Sequence, residues 1–359
     1  MWPDQRITDL LGVETPIIQA PMAGCGGADL AVAVAAASGL GSLPGAMLSP
    51  DELRNQIETF RQNVSAPVNV NFFCHTAPEP DPAREAAWQR RLAPYYRELG
   101  LDPESPVPSS NRAPFDEAFC QVVEETRPEI VSFHFGLPDK ALLQRVVATG
   151  ACILSSATTV DEARWLAERG CHAIIAQGAE AGGHRGMFRT EEVATQIGTM
   201  SLVPQIVDAV RVPVIAAGGI GDGRGIAAAF MLGASAVQIG TAYLLTPEAT
   251  IAPQHRAALA AGAQRETALT NLFTGRPARG IVNRVMREVG PLAPEAPPFP
   301  LATGALAPLR AASAPDGSED FLSLWSGQSA GLCRSMPAGD LTRKIADTAL
   351  ALLRDGPAR

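Results

Sequence analysis

Eight short apolar runs alternate with helical patterns along this chain, and that alternation constrains its fold more than any other feature. The runs are Pro16–Ala20, Gly39–Leu43, Pro67–Phe72, Ile130–His134, Cys152–Ser155, Ala173–Ala176, Pro213–Ala216 and Ala236–Ile239. Strands buried on both faces read as continuous apolar runs, which is the signature of a parallel sheet covered by helices. Ser49-Pro50-Asp51-Glu52 and Thr159-Val160-Asp161-Glu162 are capping boxes that open two of the intervening helices. Eight such units predict an α/β chain folded as a closed (β/α)8 TIM barrel. An open doubly wound sheet is the rival, but no G-x-G-x-x-G follows the first run.

Two segments break the repeat. Residues 76–111 carry Pro78, Pro80 and Pro82, a helical patch from Ala83 to Leu99, then Pro103, Pro106 and Pro108. Residues 246–318 begin helix-rich and run into Pro291, Pro294, Pro297, Pro298 and Pro300. Both leave from the C-terminal ends of strands. The expected organisation is therefore a barrel from 1–75, 112–245 and 319–359, with 76–111 and 246–318 forming a smaller α/β domain inserted over its mouth. A last helix from Asp340 to about Leu353 places Leu341, Ile345, Ala349 and Leu352 on one face and returns to the barrel.

Composition excludes several classes. A net charge of −8 argues against a nucleic-acid partner. Asp4, Asp9 and Glu14 interrupt any apolar leader. The uncharged stretches Leu30–Pro50 and Gly225–Pro247 are cut by Gly, Ser, Pro or Gln, as in a buried helix–turn–strand, so no membrane span is expected. The 6 cysteines include no C-x-x-C pair, and no Cys/His cluster suggests a metal. Reduced thiols fit a cytoplasmic protein. A monomer or homodimer is expected.

In a (β/α)8 enzyme the active face is built from loops that follow the strands. After the seventh run come Gly218 and Gly219, and after the eighth Gly240 and Thr241. Glycines there either make tight turns or let backbone N–H groups approach a phosphate. Asn71 and Gln177 end the third and sixth strands. Such amides either satisfy core polar groups or hydrogen-bond the edge of a heterocycle such as a flavin. His184 lies within Gly182-Gly183-His184-Arg185-Gly186. It is either an incidental surface histidine or a proton-transfer group placed by the loop backbone. Arg185 is an anion contact or a loop-ordering one. His134, between Phe133 and Phe135, is a core or a mouth histidine.

At these loops the chain resembles the nitronate monooxygenases, formerly called 2-nitropropane dioxygenases, and within them class I. The segments that carry the resemblance are Pro16–Gly24, Ala173–Gly186 (AIIAQGAEAGGHRG), Ser201–Val207, Pro213–Arg224, Val237–Thr241 and Leu324–Ser329 (LWSGQS). They span most of the chain, and the stretch ending in GGHRG is the most specific. The resemblance implies an FMN-binding barrel that oxidises alkyl nitronates such as propionate 3-nitronate with O2 to carbonyl compounds and nitrite. It implies FMN contacts at Ala20, Pro21, Met22, Asn71, Gln177, Gly182, Gly183, Gly218, Gly219, Gln238, Ile239, Gly240 and Thr241. His184 would be the catalytic histidine, with His134 and Gln328 in the substrate pocket. The chain departs from the family pattern at Cys25-Gly26-Gly27-Ala28, where a Thr-Pro helix start is usual. An FMN barrel reducing its substrate with NAD(P)H, of the enoyl-acyl carrier protein or quinone reductase type, is the alternative.

Overall fold

A computed structural model describes residues 1–108 and 112–356. The barrel strands are β1 (Ile17–Gln19), β2 (Gly41–Pro44), β3 (Val68–Phe73), β4 (Ile130–His134), β5 (Cys152–Ala157) and β6 (Ala173–Gln177). A two-residue strand β7 (Gly183–His184) follows outside the barrel, then β8 (Val214–Ala217) and β9 (Ala236–Ile239) complete it. The barrel strands pair in parallel in the order β1-β9-β8-β6-β5-β4-β3-β2. A parallel bridge from Ile18 to Leu40 joins the first strand to the second and closes the ring. All eight apolar runs fall on barrel strands, so the (β/α)8 expectation holds.

Strand alternation sorts the core into two layers. Ile18, Leu154, Ile175 and Ile215 fill the interior, where Ile7 and Leu11 of the first helix join them from below. Ile17, Val70, Val131, Ile174 and Val214 pack outward against the helices. The last helix, Ala338–Asp355, buries Leu341, Ile345 and Ala349 as its spacing predicts. Both uncharged stretches are helix–turn–strand units. Among the described residues no helix is long and apolar enough to cross a membrane. All six cysteines are free.

The two capping boxes differ. At Ser49 both halves form, with the hydroxyl accepting from Glu52 N and the Glu52 carboxylate accepting from Ser49 N. At Thr159 only the hydroxyl half forms. The Glu162 carboxylate instead accepts from Thr158 N at 2.6 Å and from Phe188 N at 2.6 Å, tying the loop after β7 to the helix face. The departure at Cys25-Gly26-Gly27 has a compensation of its own. Gly27 offers no side chain to cap the helix Ala28–Ala35, and Gln56 Oε1 accepts from Ala28 N at 2.6 Å in its place.

The two inserted segments share an apolar cluster distinct from the barrel core. Trp88, Leu92, Tyr95 and Tyr96 on the helix Pro82–Glu98 pack with Leu272, Met286, Leu306, Leu309 and Phe321. Tyr96 donates to the Ala305 carbonyl at 2.6 Å. The second segment also holds a hairpin that its helix-rich sequence did not reveal. Its strands are β10 (Thr267–Thr270) and β11 (Ala278–Ile281), and β11 pairs antiparallel with β7. Residues 109–111, which end the first inserted segment, and the last residues 357–359 lie outside the described residues.

Candidate active site

The cavity at the C-terminal ends of the barrel strands holds about 1240 Å³ of empty space, counted to its open mouth. Its wall takes Ala20, Pro21 and Met22 from the loop after β1, Asn71 and Phe73 from β3, and His134 from β4. Gln177 of β6, then Gly182, Gly183 and His184, form the next face. Gly218 and Gly219 after β8, and Gln238, Gly240 and Thr241 from β9 onward, close the ring. Strand period explains why Ile239 is not among them. Gln238 and Gly240 face the mouth, whereas Ile239 between them is 1% exposed and packs into the helical layer. The Ile239 side chain therefore belongs to the core, and only its backbone is left to face the mouth.

Backbone geometry requires glycine at two of these positions. A Cβ on Gly182 would stand 2.5 Å from Gly327 N, so only glycine lets the Ser326-Gly327 segment dock. Gly218 has φ +103°, a region that side chains disfavour.

The His184 loop is fixed by hydrogen bonds to its backbone. Gln177 Nε2 donates to the His184 carbonyl at 2.9 Å, and Gln177 Oε1 accepts from Gly186 N at 2.7 Å. His134 Nε2 lies 3.2 Å from the same carbonyl, and its Nδ1 lies 3.0 Å from Ser156 Oγ. A carbonyl only accepts, so His134 carries its proton on Nε2 and accepts from Ser156 on Nδ1. His134 lines the cavity, but both of its ring nitrogens are committed to the scaffold. Arg185 resolves as a loop-ordering residue. It is fully buried and donates to the carbonyls of Gln177 (2.6 Å) and Gly178 (2.8 Å) and to Gln196 Oε1 (2.8 Å). The Glu180 carboxylate accepts from Thr199 N and Oγ1, and so caps the helix Thr199–Ala209.

His184 itself presents its ring to the cavity. Its Nε2 lies 2.9 Å from Thr274 Oγ1, whose hydroxyl is also 3.4 Å from the Arg276 carbonyl. With the threonine proton directed to that carbonyl, Nε2 carries the imidazole proton and Nδ1 keeps its lone pair. Phe299 and Trp325 lie at centroid distances of 5.3 and 5.5 Å. Burial, then the charges of Arg112, His134, Arg276 and His75, hold the His184 pKa well below the ordinary value. The ring is neutral at pH 7.

Burial likewise pushes His134 down to about 3, and burial with the Arg276 charge pushes His75 down to about 4. These histidines resist protonation only when folded. The unfolded chain takes up protons first, so stability is full above an unfolded pKa of roughly 6.5 and falls as pH drops below it. The slope is up to about 1.4 kcal/mol per pH unit for each histidine. Urea midpoints should fall clearly between pH 7.5 and pH 5. Equal midpoints would contradict this reading.

A family model described as nitronate monooxygenase matches residues 4–347. The chain belongs to the nitronate monooxygenase family. It is an enzyme of the oxidoreductase class, acting on small molecules. It is 42% identical over 346 residues to a nitronate monooxygenase of Pseudomonas aeruginosa, covering 95% of this chain and 98% of the relative. A nitronate monooxygenase of Paraburkholderia phytofirmans is 41% identical, with 95% and 94% covered. Among solved structures, a nitroalkane oxidase from Streptomyces ansochromogenes superposes with a TM-score of 0.87 at 38% identity, covering 96% of this chain and 98% of that one. FabK from Thermotoga maritima gives 0.74 at 27% identity, with 98% of each chain covered.

Beyond Ile239, one family-derived position departs from the cavity. Gln328 is exposed, and its contribution is a backbone N–H donated to the Glu180 carbonyl at 3.0 Å. Its neighbours Trp325, Gly327 and Ser329 line the wall instead. Phe73, Arg112 and Thr274 are further site residues that the sequence reading missed. Trp325 and Ser329 lay within the LWSGQS segment and could have been taken with it. Thr274 reaches the site from the second inserted segment and Arg112 from the chain just after the first, and no local pattern marks them.

Proposed function

We propose that the protein is an FMN-dependent nitronate monooxygenase, oxidising alkyl nitronates such as propionate 3-nitronate with O2 to carbonyl compounds and nitrite. The observation that carries this reading is a neutral histidine, His184, on the wall of a glycine-lined cavity at the barrel mouth.

The residues present fit a flavin. Gln238 Oε1 is buried with no hydrogen-bond partner among the described residues, and its residue lines the cavity. That orphaned acceptor suits an N–H or O–H of a bound cofactor. Asn71 commits its amide nitrogen to Ser132, at 3.0 Å to the hydroxyl, and so presents its carboxamide oxygen to a ligand. Thr241 Oγ1 accepts from Gly327 N at 2.9 Å and keeps its own proton to donate. The glycine loops at Gly182, Gly218 and Gly240 bring backbone N–H groups to the phosphate side. Gln177 supports the cradle through the His184 loop, because both ends of its amide already bond that loop. FMN bound there supplies the electron acceptor for the nitronate and the route to oxygen.

The protein's own groups orient and protect. His184 holds the substrate nitro group in place. With a neutral nitroalkane its Nδ1 lone pair takes the Cα proton. Phe73, Phe299 and Trp325 surround that ring and exclude water from it. The apolar cluster shared by the helix Pro82–Glu98 and residues of the second inserted segment supports reading the two as a lid over the mouth, with β11 pairing to β7 beside His184.

The purified protein should be yellow, and the chromophore released on heating should be FMN. It should consume O2 and form nitrite with propionate 3-nitronate. A colourless protein that FMN does not saturate would overturn the proposal.

A further inference from the structure

The hairpin of the second inserted segment brings a hydroxyl to His184. Thr274 stands in the turn between β10 and β11 and is 2% exposed. Its backbone is pinned on both sides. Upstream, Leu272 and Phe273 are buried in the apolar cluster of the inserted segments. Gly275 follows with φ +90°, and a Cβ there would overlap the Pro297 carbonyl. Downstream, Arg185 N donates to the Pro277 carbonyl at 2.8 Å, and Ala278 of β11 pairs with His184 itself. The register of β11 on β7 therefore fixes where the threonine hydroxyl stands relative to the imidazole.

That hydroxyl has two polar neighbours among the described residues. His184 Nε2 lies at 2.9 Å and the Arg276 carbonyl at 3.4 Å. A carbonyl only accepts, so a hydroxyl proton directed there leaves the threonine lone pairs to receive an Nε2–H. Nδ1 of His184 makes no hydrogen bond among the described residues, and the residue lines the cavity. Phe299 and Trp325 confine the ring at centroid distances of 5.3 and 5.5 Å, but neither side chain carries a lone-pair acceptor. A neutral imidazole has two tautomers, and the hydrogen bond at one nitrogen sets the state of the other. At His184 that bond is to Thr274.

We propose that Thr274 is a positioning residue that holds His184 in its Nε2–H tautomer and turns the Nδ1 lone pair toward the cavity. The second inserted segment thereby completes the site, because it supplies the group that decides which face of the histidine the substrate meets. The inference rests on the nitronate reading for its effect on turnover, but not for the tautomer.

The test compares wild type, Thr274→Val and Thr274→Ser as isolated holoenzymes, labelled with 15N in the histidine rings. The chain has 5 histidines, and the His184 signals are those missing from His184→Asn. Nitrogen shifts distinguish a protonated ring nitrogen from one that keeps its lone pair. Wild type should show His184 protonated at Nε2 alone. Thr274→Val, which replaces the hydroxyl with a methyl of similar size, should give a mixture of the two tautomers. Thr274→Ser, which keeps the hydroxyl, should restore the wild-type pattern. In turnover with ethyl nitronate, Thr274→Val should lose about 3- to 10-fold in kcat/KM, the usual worth of one neutral hydrogen bond, and Thr274→Ser should recover most of it.

A residue that only packs the turn would leave the nitrogen shifts of His184 unmoved. Wild-type His184 protonated at Nδ1 would overturn the proposal whether or not the valine variant folds. A tautomer that stays fixed in Thr274→Val would overturn it as well, even with nitronate turnover intact. Loss of the fixed tautomer in Thr274→Val, in a protein that turns over no nitronate, would instead contradict the proposed reaction and leave the role of Thr274 standing.

Discussion

Replacing His184 with asparagine should lower kcat/KM for nitronates by about 100-fold or more while leaving flavin content unchanged. The two halves of this expectation come from different atoms of one residue. The cavity loop is held through the His184 carbonyl, which accepts from Gln177 Nε2 and His134 Nε2, and asparagine keeps that carbonyl. The ring is what faces the substrate, and asparagine removes it along with the Thr274 contact. Stopped-flow reduction and flavin-to-protein ratios separate the effects. Unchanged kinetics would show that the ring only fills space. Loss of flavin would place the ring in the cofactor cradle.

Arg185→Met should destabilise the protein by about 3–5 kcal/mol and weaken cofactor retention, although Arg185 does not line the cavity. Methionine fills much of the volume but leaves the Gln177 and Gly178 carbonyls and Gln196 Oε1 without their donor. Each buried acceptor left unpaired costs about 1–3 kcal/mol. Gln177 lies at both ends of this arrangement, because its carbonyl binds Arg185 and its amide binds the His184 loop. The loop should therefore loosen with the stability loss, and flavin should separate on gel filtration. Arg343→Met is the control. Arg343 forms an exposed pair with Asp340, with a side chain 57% accessible, and its loss should cost at most about 0.5 kcal/mol. Equal urea midpoints for Arg185→Met and wild type would contradict the assigned role.

The barrel was legible in the sequence because its signals are local. Each strand is a short apolar run, and several helix starts carry a capping side chain, among them Ser49, Asp116, Asp139, Thr159 and Asp222. The glycines of the mouth were legible for the same reason, since they directly follow strands. What escaped the sequence depends on tertiary docking. Gln238 and Ile239 are adjacent, but the side-chain period of two sends one to the mouth and the other to the helices. Glu162 sits where a capping box wants it, yet a stronger set of donors at Thr158 and Phe188 takes its carboxylate. The missing cap at Gly27 is supplied by Gln56 from the next helix. Arg112 and Thr274 lie in or beside proline-rich and irregular segments without periodicity. They join His184 only because those segments fold back over the barrel.

One measurement bears most directly on the account. Purified holoenzyme is given propionate 3-nitronate in an oxygen electrode, and the same preparation is mixed anaerobically with NADH. The account predicts oxygen consumption with nitrite formation in the first cell and a flavin spectrum left oxidised by NADH in the second. Rapid bleaching by NADH with no nitronate turnover would contradict it and favour a pyridine-nucleotide-dependent reductase.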